Sequence, residues 1–239
     1  LAHQDQSFWL NSEIREFNPE NPVGSLETGM LTGSVGYALN WVPDLFTETE
    51  RSRIEAALLA KGVRPCITFL EQQEAGSNWT AVIAAGTYVG SRALEYPEGV
   101  ASATASIRAF LGMFFEDGSY KEPVNYFYYP ITQLAPAFMA MGAEESRELV
   151  HSSGLFHSLD WLPYYYYLIA GEDGLIAPVN VAFGDADWKS SSPVAFYLLA
   201  GLTGNGIGTW LMESFHGEAQ FEKGTWLNLA LSVFFDGEL

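Results

Sequence analysis

The chain has 239 residues, and 29 acidic against 11 basic side chains give it a formal net charge of −18. Apolar residues make up 48% and aromatic residues 15%, a composition that excludes intrinsic disorder. The single cysteine excludes a disulfide scaffold, and the scarcity of Lys and Arg argues against a nucleic-acid partner. No apolar run is long enough for a transmembrane helix.

Residues 1–24 are polar and rich in Pro and Asn, which predicts an irregular N-terminal segment before a helical domain over 25–239. A first helix is expected at 25–42. The next is expected at 47–62, because Thr47 and Glu50 form a capping box and Gly62 is typical of a helix end. Three further helices are predicted at 63–74, 78–95 and 99–114.

Glycines at 33, 36, 86 and 90 fall inside predicted helices, which indicates close helix–helix approach. Cys66 lies in an apolar stretch and is expected to be an unreactive core residue. After a turn at Asp117 and Gly118, a helix is predicted at 124–141, with Pro130 and Pro136 expected to bend or interrupt it.

The remaining helices are predicted at 144–151, 155–170, 192–203, 206–214 and 224–234. Strand signals are weak, and the best of them is at 179–183. About ten helices in close succession predict an all-α fold of stacked helical hairpins, either a bundle or an α/α toroid.

Polar and aromatic residues concentrate in four segments. Asn78 opens a helix, where it is expected to act as a cap, and Trp79 follows it. An acidic turn and the pair Lys121 and Glu122 lead into a tyrosine cluster, which favours a partly wet cleft suited to sugar rings. Four consecutive tyrosines at 164–167 cannot all face one side of a helix. Asp185 precedes a serine run, and a turn followed by serine caps explains this pattern more simply than a catalytic Asp.

Several chemistries are disfavoured. The four histidines, at 3, 151, 157 and 216, are scattered and do not have the spacing of a zinc site. Neither a GxSxG elbow nor a GxxxxGK[ST] phosphate loop is present. We therefore predict neither a metal nor a cofactor.

Ordered motifs over about residues 25–235 resemble the helical domain of the heparinase II/III-like and alginate lyase-like polysaccharide lyases. The similar stretches are 37–41 (YALNW), 47–54 (TETERSRI), 78–82 (NWTAV), 117–122 (DGSYKE) with 126–129 (YFYY), and 183–185 (FGD) with 190–192 (SSS). The resemblance implies an incomplete α/α toroid. It also implies a C-terminal β-sandwich domain in the full-length protein and a periplasmic or secreted location.

The resemblance further implies β-elimination at uronic acid residues of a polysaccharide. Tyr129 is then the base and acid, with Tyr126 and Tyr128 as second choices, and Asn78 neutralises the uronate carboxylate. The implied substrate-binding residues are Trp79, Lys121, Glu122, Tyr126, Tyr128 and Asp185.

The sequence departs from the family pattern at Trp79, where the family often has His next to the Asn, and at Pro130, where the family has Gly. Two alternatives stay open. One is a glycoside hydrolase that uses a carboxylate pair drawn from Asp117, Glu122 and Asp185. The other is a sugar-binding relative without activity. The net charge would repel a polyuronate unless basic residues such as Lys121 form a local patch.

Overall fold

The computed structural model describes residues 2–10, 20–72, 77–122, 124–170, 176–180 and 192–211. The chain divides into two compact units, Leu1–Phe110 and Leu111–Leu239, and each is considered by itself. Ten α-helices with both ends described and one two-stranded sheet are present in the described part of the chain, which confirms the helical class. None of the described helices is long and apolar enough to cross a membrane.

Six helices form the first unit, the last of them ending at its boundary: α1 (Gln6–Leu10), α2 (Leu26–Trp41), α3 (Glu48–Ala57), α4 (Arg64–Gln72), α5 (Asn78–Ala93) and α6 (Pro97–Leu111). Helices α2 to α6 lie where the sequence predicts them. The short helix α1 falls in the segment predicted to be irregular. Its Trp9 and Leu10 side chains are buried, and this burial stabilises a turn that the polar sequence around it does not predict.

The predicted capping box is confirmed at the start of α3. The Thr47 hydroxyl accepts a hydrogen bond from the Glu50 amide at 3.3 Å, and the Glu50 carboxylate accepts one from the Thr47 amide at 2.9 Å. The predicted stop at Gly62 is wrong, because a π-helical turn (Leu58–Val63) carries the chain directly into α4. Gly62 is required for packing instead, since a Cβ there would lie 2.5 Å from the Thr32 hydroxyl oxygen.

Helices α2 and α5 pack backbone to backbone along a line of glycines, as their positions in the sequence predict. A Cβ on Gly36 would lie 3.0 Å from the Cα of Gly90, and one on Gly33 would lie 3.3 Å from the Cα of Gly86. A Cβ on Gly86 would overlap the carbonyl group of Gly29. Only glycine allows this approach, so the pairing of α2 with α5 is specified by residue size.

The second unit contains the helices α7 (Val124–Met141), α8 (Ala143–His151), α9 (Ser158–Trp161) and α10 (Pro193–Thr203). Residues 207–211 begin a further helical stretch, and the helix predicted at 224–234 lies outside the described residues. The predicted interruption of α7 is not found, because the helix runs through both Pro130 and Pro136. Each proline removes a backbone hydrogen bond from the helix. The packing of buried side chains at helical spacing offsets this loss, and these side chains are Phe127, Ile131, Leu134 and Phe138.

The helix predicted at 155–170 is wrong over its last five residues, and before them the chain forms short 3₁₀ and α-helical turns rather than one continuous helix. Strand β1 (Tyr166–Ala170) follows α9 and a 3₁₀ turn (Leu162–Tyr165), and it pairs antiparallel with strand β2 (Ile176–Asn180). Tyr166 lies opposite Asn180 and Ala170 opposite Ile176. The run YYLIA has the aromatic and β-branched content of a strand, and pairing with β2 overrides the helical spacing. The strand signal at 179–183 is confirmed for the part that β2 covers.

Candidate functional site

Asn78 is the first residue of α5, in the first unit. The residue at the cap position is Ser77, whose extended backbone precedes the helix and whose carbonyl accepts a hydrogen bond from the Thr80 amide at 3.1 Å. The prediction that Asn78 caps the helix is therefore wrong by one position. Its half-buried amide nevertheless lies at a helix N-terminus, where the helix dipole favours an anion.

Trp79 packs against the core of the first unit. Its ring stacks on Phe69 with 6.2 Å between centroids, at the edge of the buried cluster that also contains Cys66 and Ile83. This packing explains why the indole is half-buried. Cys66 itself is fully buried, which confirms that it is a core residue, and burial raises the pKa of its thiol to about 12.

The acidic turn of the second unit is held by Asp117. Its carboxylate accepts hydrogen bonds from the Ser119 hydroxyl at 2.6 Å and from the Ser119 amide at 2.9 Å, and these bonds lower the pKa of Asp117. Gly118 follows with a left-handed backbone, φ 84°, and a Cβ there would overlap the backbone of His157. Asp117 is thus an exposed turn residue held in its ionised form, unlike a general acid, which must carry a proton.

Tyr120, which is buried, and Glu122, which is half-buried, follow this turn. Tyr120 is buried and stacks on Phe114 at 4.8 Å between ring centroids. Its burial, together with the nearby charge of Glu122, raises the pKa of Tyr120 above its ordinary range. One oxygen of the half-buried Glu122 is itself shielded from solvent, whereas Lys121 is exposed.

The tyrosines of α7 divide between two faces of the helix. Phe127 and Tyr128 are buried, whereas Tyr126 and Tyr129 are half-buried. Positions three residues apart on a helix are neighbours on one face. Tyr126 and Tyr129 therefore share a face of α7 that remains partly accessible to solvent.

Tyr128 points the other way, into the core of the second unit. Its phenol is in hydrogen-bonding contact with the phenol of Tyr166, and its ring meets Phe196 edge to face at 5.4 Å. Burial, with the neighbouring Tyr166, holds the pKa of Tyr128 well above its usual range. A base that acts near neutral pH needs the opposite shift, so Tyr128 is the least suitable of the three tyrosines.

Thr132 of α7 and Ser192, the residue before α10, are in hydrogen-bonding contact. The Thr132 and Ser192 hydroxyl oxygens are 2.8 Å apart, and Ser192 also caps α10 by accepting from the Ala195 amide at 3.2 Å. Thr132 lies one turn after Tyr129 on the same face of α7. Ser192 thus contacts α7 one turn beyond Tyr129, and this contact cannot be predicted from the sequence because its two residues are 60 positions apart.

Asp185, the remaining predicted site residue, lies outside the described residues. Asn78 and Trp79 belong to the first unit, whereas Lys121, Glu122 and the tyrosines of α7 belong to the second. No group of three or more side chains suited to bind a metal ion occurs among the residues with described positions.

Comparison with protein-family models and with curated protein sequences finds no match.

Proposed function

We propose that the protein is a polysaccharide lyase that cleaves uronic-acid-containing chains by β-elimination. In this proposal Tyr129 removes the C5 proton and returns a proton to the departing C4 oxygen. Asn78 stabilises the uronate carboxylate as negative charge develops next to it. The proposal rests on the ordered sequence motifs together with the arrangement of α7.

The observation that carries the proposal is the accessible face of α7. Tyr126 and Tyr129 share it, and the contact between Thr132 and Ser192 lies one turn further along. Tyrosine has a flat apolar ring with a polar tip, and this combination suits stacking on a sugar ring. Hydroxyl groups beside such rings can both donate to and accept from sugar hydroxyls.

The chemistry requires two separate contributions from the protein. The C5 proton of a uronate is very weakly acidic unless the adjacent carboxylate is stabilised by hydrogen bonds. A neutral amide at a helix N-terminus supplies a donor within the positive end of the helix dipole, and Asn78 at the start of α5 has these properties. A tyrosine base must ionise at a pH well below about 10, which favours the half-buried Tyr129 over the buried Tyr128.

We also propose the finer architecture that the family resemblance implies. The helices form an incomplete α/α toroid, a β-sandwich domain follows in the full-length protein, and the protein acts in the periplasm or outside the cell. Cleavage of a polymer too large to enter the cytoplasm accords with that location.

The test uses the full-length protein with alginate, heparan sulfate, hyaluronan and chondroitin sulfate. Ultraviolet absorbance of the unsaturated uronate is followed in parallel with reducing sugar. We expect absorbance to rise with one glycan. Reducing sugar without absorbance would overturn the proposal in favour of hydrolysis, and saturable binding without either product would indicate a sugar-binding protein without activity.

Variants then assign the roles. Tyr129→Phe removes the base and is expected to lower the rate at least about a hundredfold. Asn78→Ala is expected to lower it by about the same factor, because one donor to the developing charge is lost. The matched controls are Tyr164→Phe and Asn40→Ala, whose side chains are exposed elsewhere on the chain and whose loss should leave the rate unchanged.

A further inference from the structure

The first unit contains a cavity of about 420 Å³ that the proposed reaction does not use. It lies among α1, α2 and α3, with Ala2 and His3 forming part of its wall. Small-molecule sites in proteins commonly measure about 300 to 1,000 Å³. The cavity is therefore large enough for a ligand of modest size.

The inner surface of the cavity is apolar. Its lining includes Trp9, Leu39 and Ala57, all buried in the core of the first unit. Phe46 and Ile54, partly buried, complete the wall. An apolar surface of this kind binds water poorly, so the part of a ligand that enters the cavity is hydrocarbon.

The rim carries hydrogen-bond donors. Arg53 and His3 both line the cavity and are exposed, and the guanidinium Nη1 of Arg53 is 3.4 Å from the Nε2 of His3. A guanidinium group can only donate, so this contact is a hydrogen bond in the tautomer of His3 that accepts through Nε2 and donates through Nδ1. Arg53 and His3 thus place N–H donors beside each other at the rim.

One carboxylate, Glu50, also lines the cavity, and one of its two oxygens is used within the capping box. Its Oε2 accepts from the Thr47 amide at 2.9 Å and from the Thr47 hydroxyl at 2.7 Å. Arg51, on the same helix, is paired with Glu55 at 2.7 Å. Among the described residues, Arg53 has no carboxylate within ion-pair distance, although its charge helps to lower the pKa of Glu50, three residues before it. A guanidinium group has five N–H donors, so donors beyond the contact with His3 remain for a ligand.

We propose that this cavity binds a small amphipathic carboxylate, with its hydrocarbon chain against Trp9, Leu39 and Ala57 and its carboxylate bound by Arg53 and His3. An anionic head group is proposed because Arg53 is a permanent cation at the rim with donors that its contact with His3 does not use. The site is independent of the proposed lyase chemistry, since none of its lining residues belongs to the lyase site.

The test is isothermal titration calorimetry of the full-length protein with decanoate, below the concentration at which decanoate forms micelles. We expect saturable binding of one decanoate per chain, and at least about tenfold weaker binding of decanol, which lacks the charge. Absence of saturable decanoate binding, or equal affinity for decanol, would overturn the proposal.

Two variants locate the site. Arg53→Gln is expected to weaken decanoate binding about tenfold to a hundredfold, whereas Arg51→Gln, the matched control on the same helix, should bind as the parent protein does. Ala57→Phe fills the cavity and should abolish binding, with circular dichroism used to verify that the variant is folded. Because Arg53 is exposed, Arg53→Gln keeps the proposal testable even if Ala57→Phe does not fold. Unchanged affinity in Arg53→Gln would refute the assignment.

Discussion

The pairing of α2 with α5 makes a sharp prediction for Gly86→Ala. A Cβ at this position would overlap the carbonyl group of Gly29, a backbone group that cannot move aside without shifting α2. Overpacking of this kind costs about 3 kcal/mol at the upper end of its usual range. Alanine in place of glycine stabilises a helix by about 1 kcal/mol, which offsets part of that cost. We therefore expect the free energy of unfolding to fall by about 2 kcal/mol.

The assay is urea unfolding of the parent protein and the variant, followed by far-ultraviolet circular dichroism. Gly206→Ala is the matched control, because a Cβ there meets no atom within 4 Å and the residue does not have a positive φ. Its free energy of unfolding should stay within about 0.5 kcal/mol of the parent value. If Gly86→Ala proved as stable as the parent, or more stable, the close approach of α2 and α5 would be refuted.

Three further predictions concern ionisation and capping. Burial raises the folded-state pKa of Tyr128 above its unfolded value of about 10. The contribution of Tyr128 to the free energy of unfolding is therefore complete below about pH 10 and is lost as pH rises through the folded-state pKa. Tyr128→Phe should therefore lessen the loss of stability seen by urea unfolding between about pH 8 and about pH 11, and an unchanged loss would contradict this assignment. Cys66 should resist a thiol reagent in the native protein and react after unfolding, and rapid native labelling would show that it is not buried. Thr47→Ala should lower the free energy of unfolding by about 1 kcal/mol, with Thr49→Ala in the same turn as the control; equal losses in the two variants would argue against the capping box.

Local signals in the sequence predict the features that depend on neighbouring residues. The capping box of Thr47 and Glu50 needs only residues three apart, and it forms as predicted. The positions of the glycines inside α2 and α5 predict a close helix–helix approach. Their exact partners could not be predicted, because the register between two helices is set by packing along their whole length.

Features that depend on distant residues were missed or misassigned. Gly62 has the sequence signature of a helix end, but its contact with Thr32 requires a glycine for packing rather than for a turn. The strand at Tyr166 depends on its pairing partner β2. The same is true at the candidate site, where the contacts of Tyr128 with Tyr166 and of Thr132 with Ser192 join residues 38 and 60 positions apart.

The sequence alone does not distinguish the tyrosines of α7 as candidates for the catalytic base. Consecutive tyrosines look equivalent in the sequence, yet helical geometry turns Tyr126 and Tyr129 to one face and Tyr128 to another. Tyr129 is the preferred candidate for the base because of the family resemblance. Its accessible position on α7 is compatible with the role of a base.

The central claim is tested most directly by one comparison of initial rates. The full-length protein and its Tyr129→Phe variant are incubated with the glycan that gives the largest signal, and formation of unsaturated uronate is recorded. The account predicts a fall of at least about a hundredfold in the variant while its affinity for the glycan is retained. Equal rates for the two proteins would contradict the role of Tyr129 as the base.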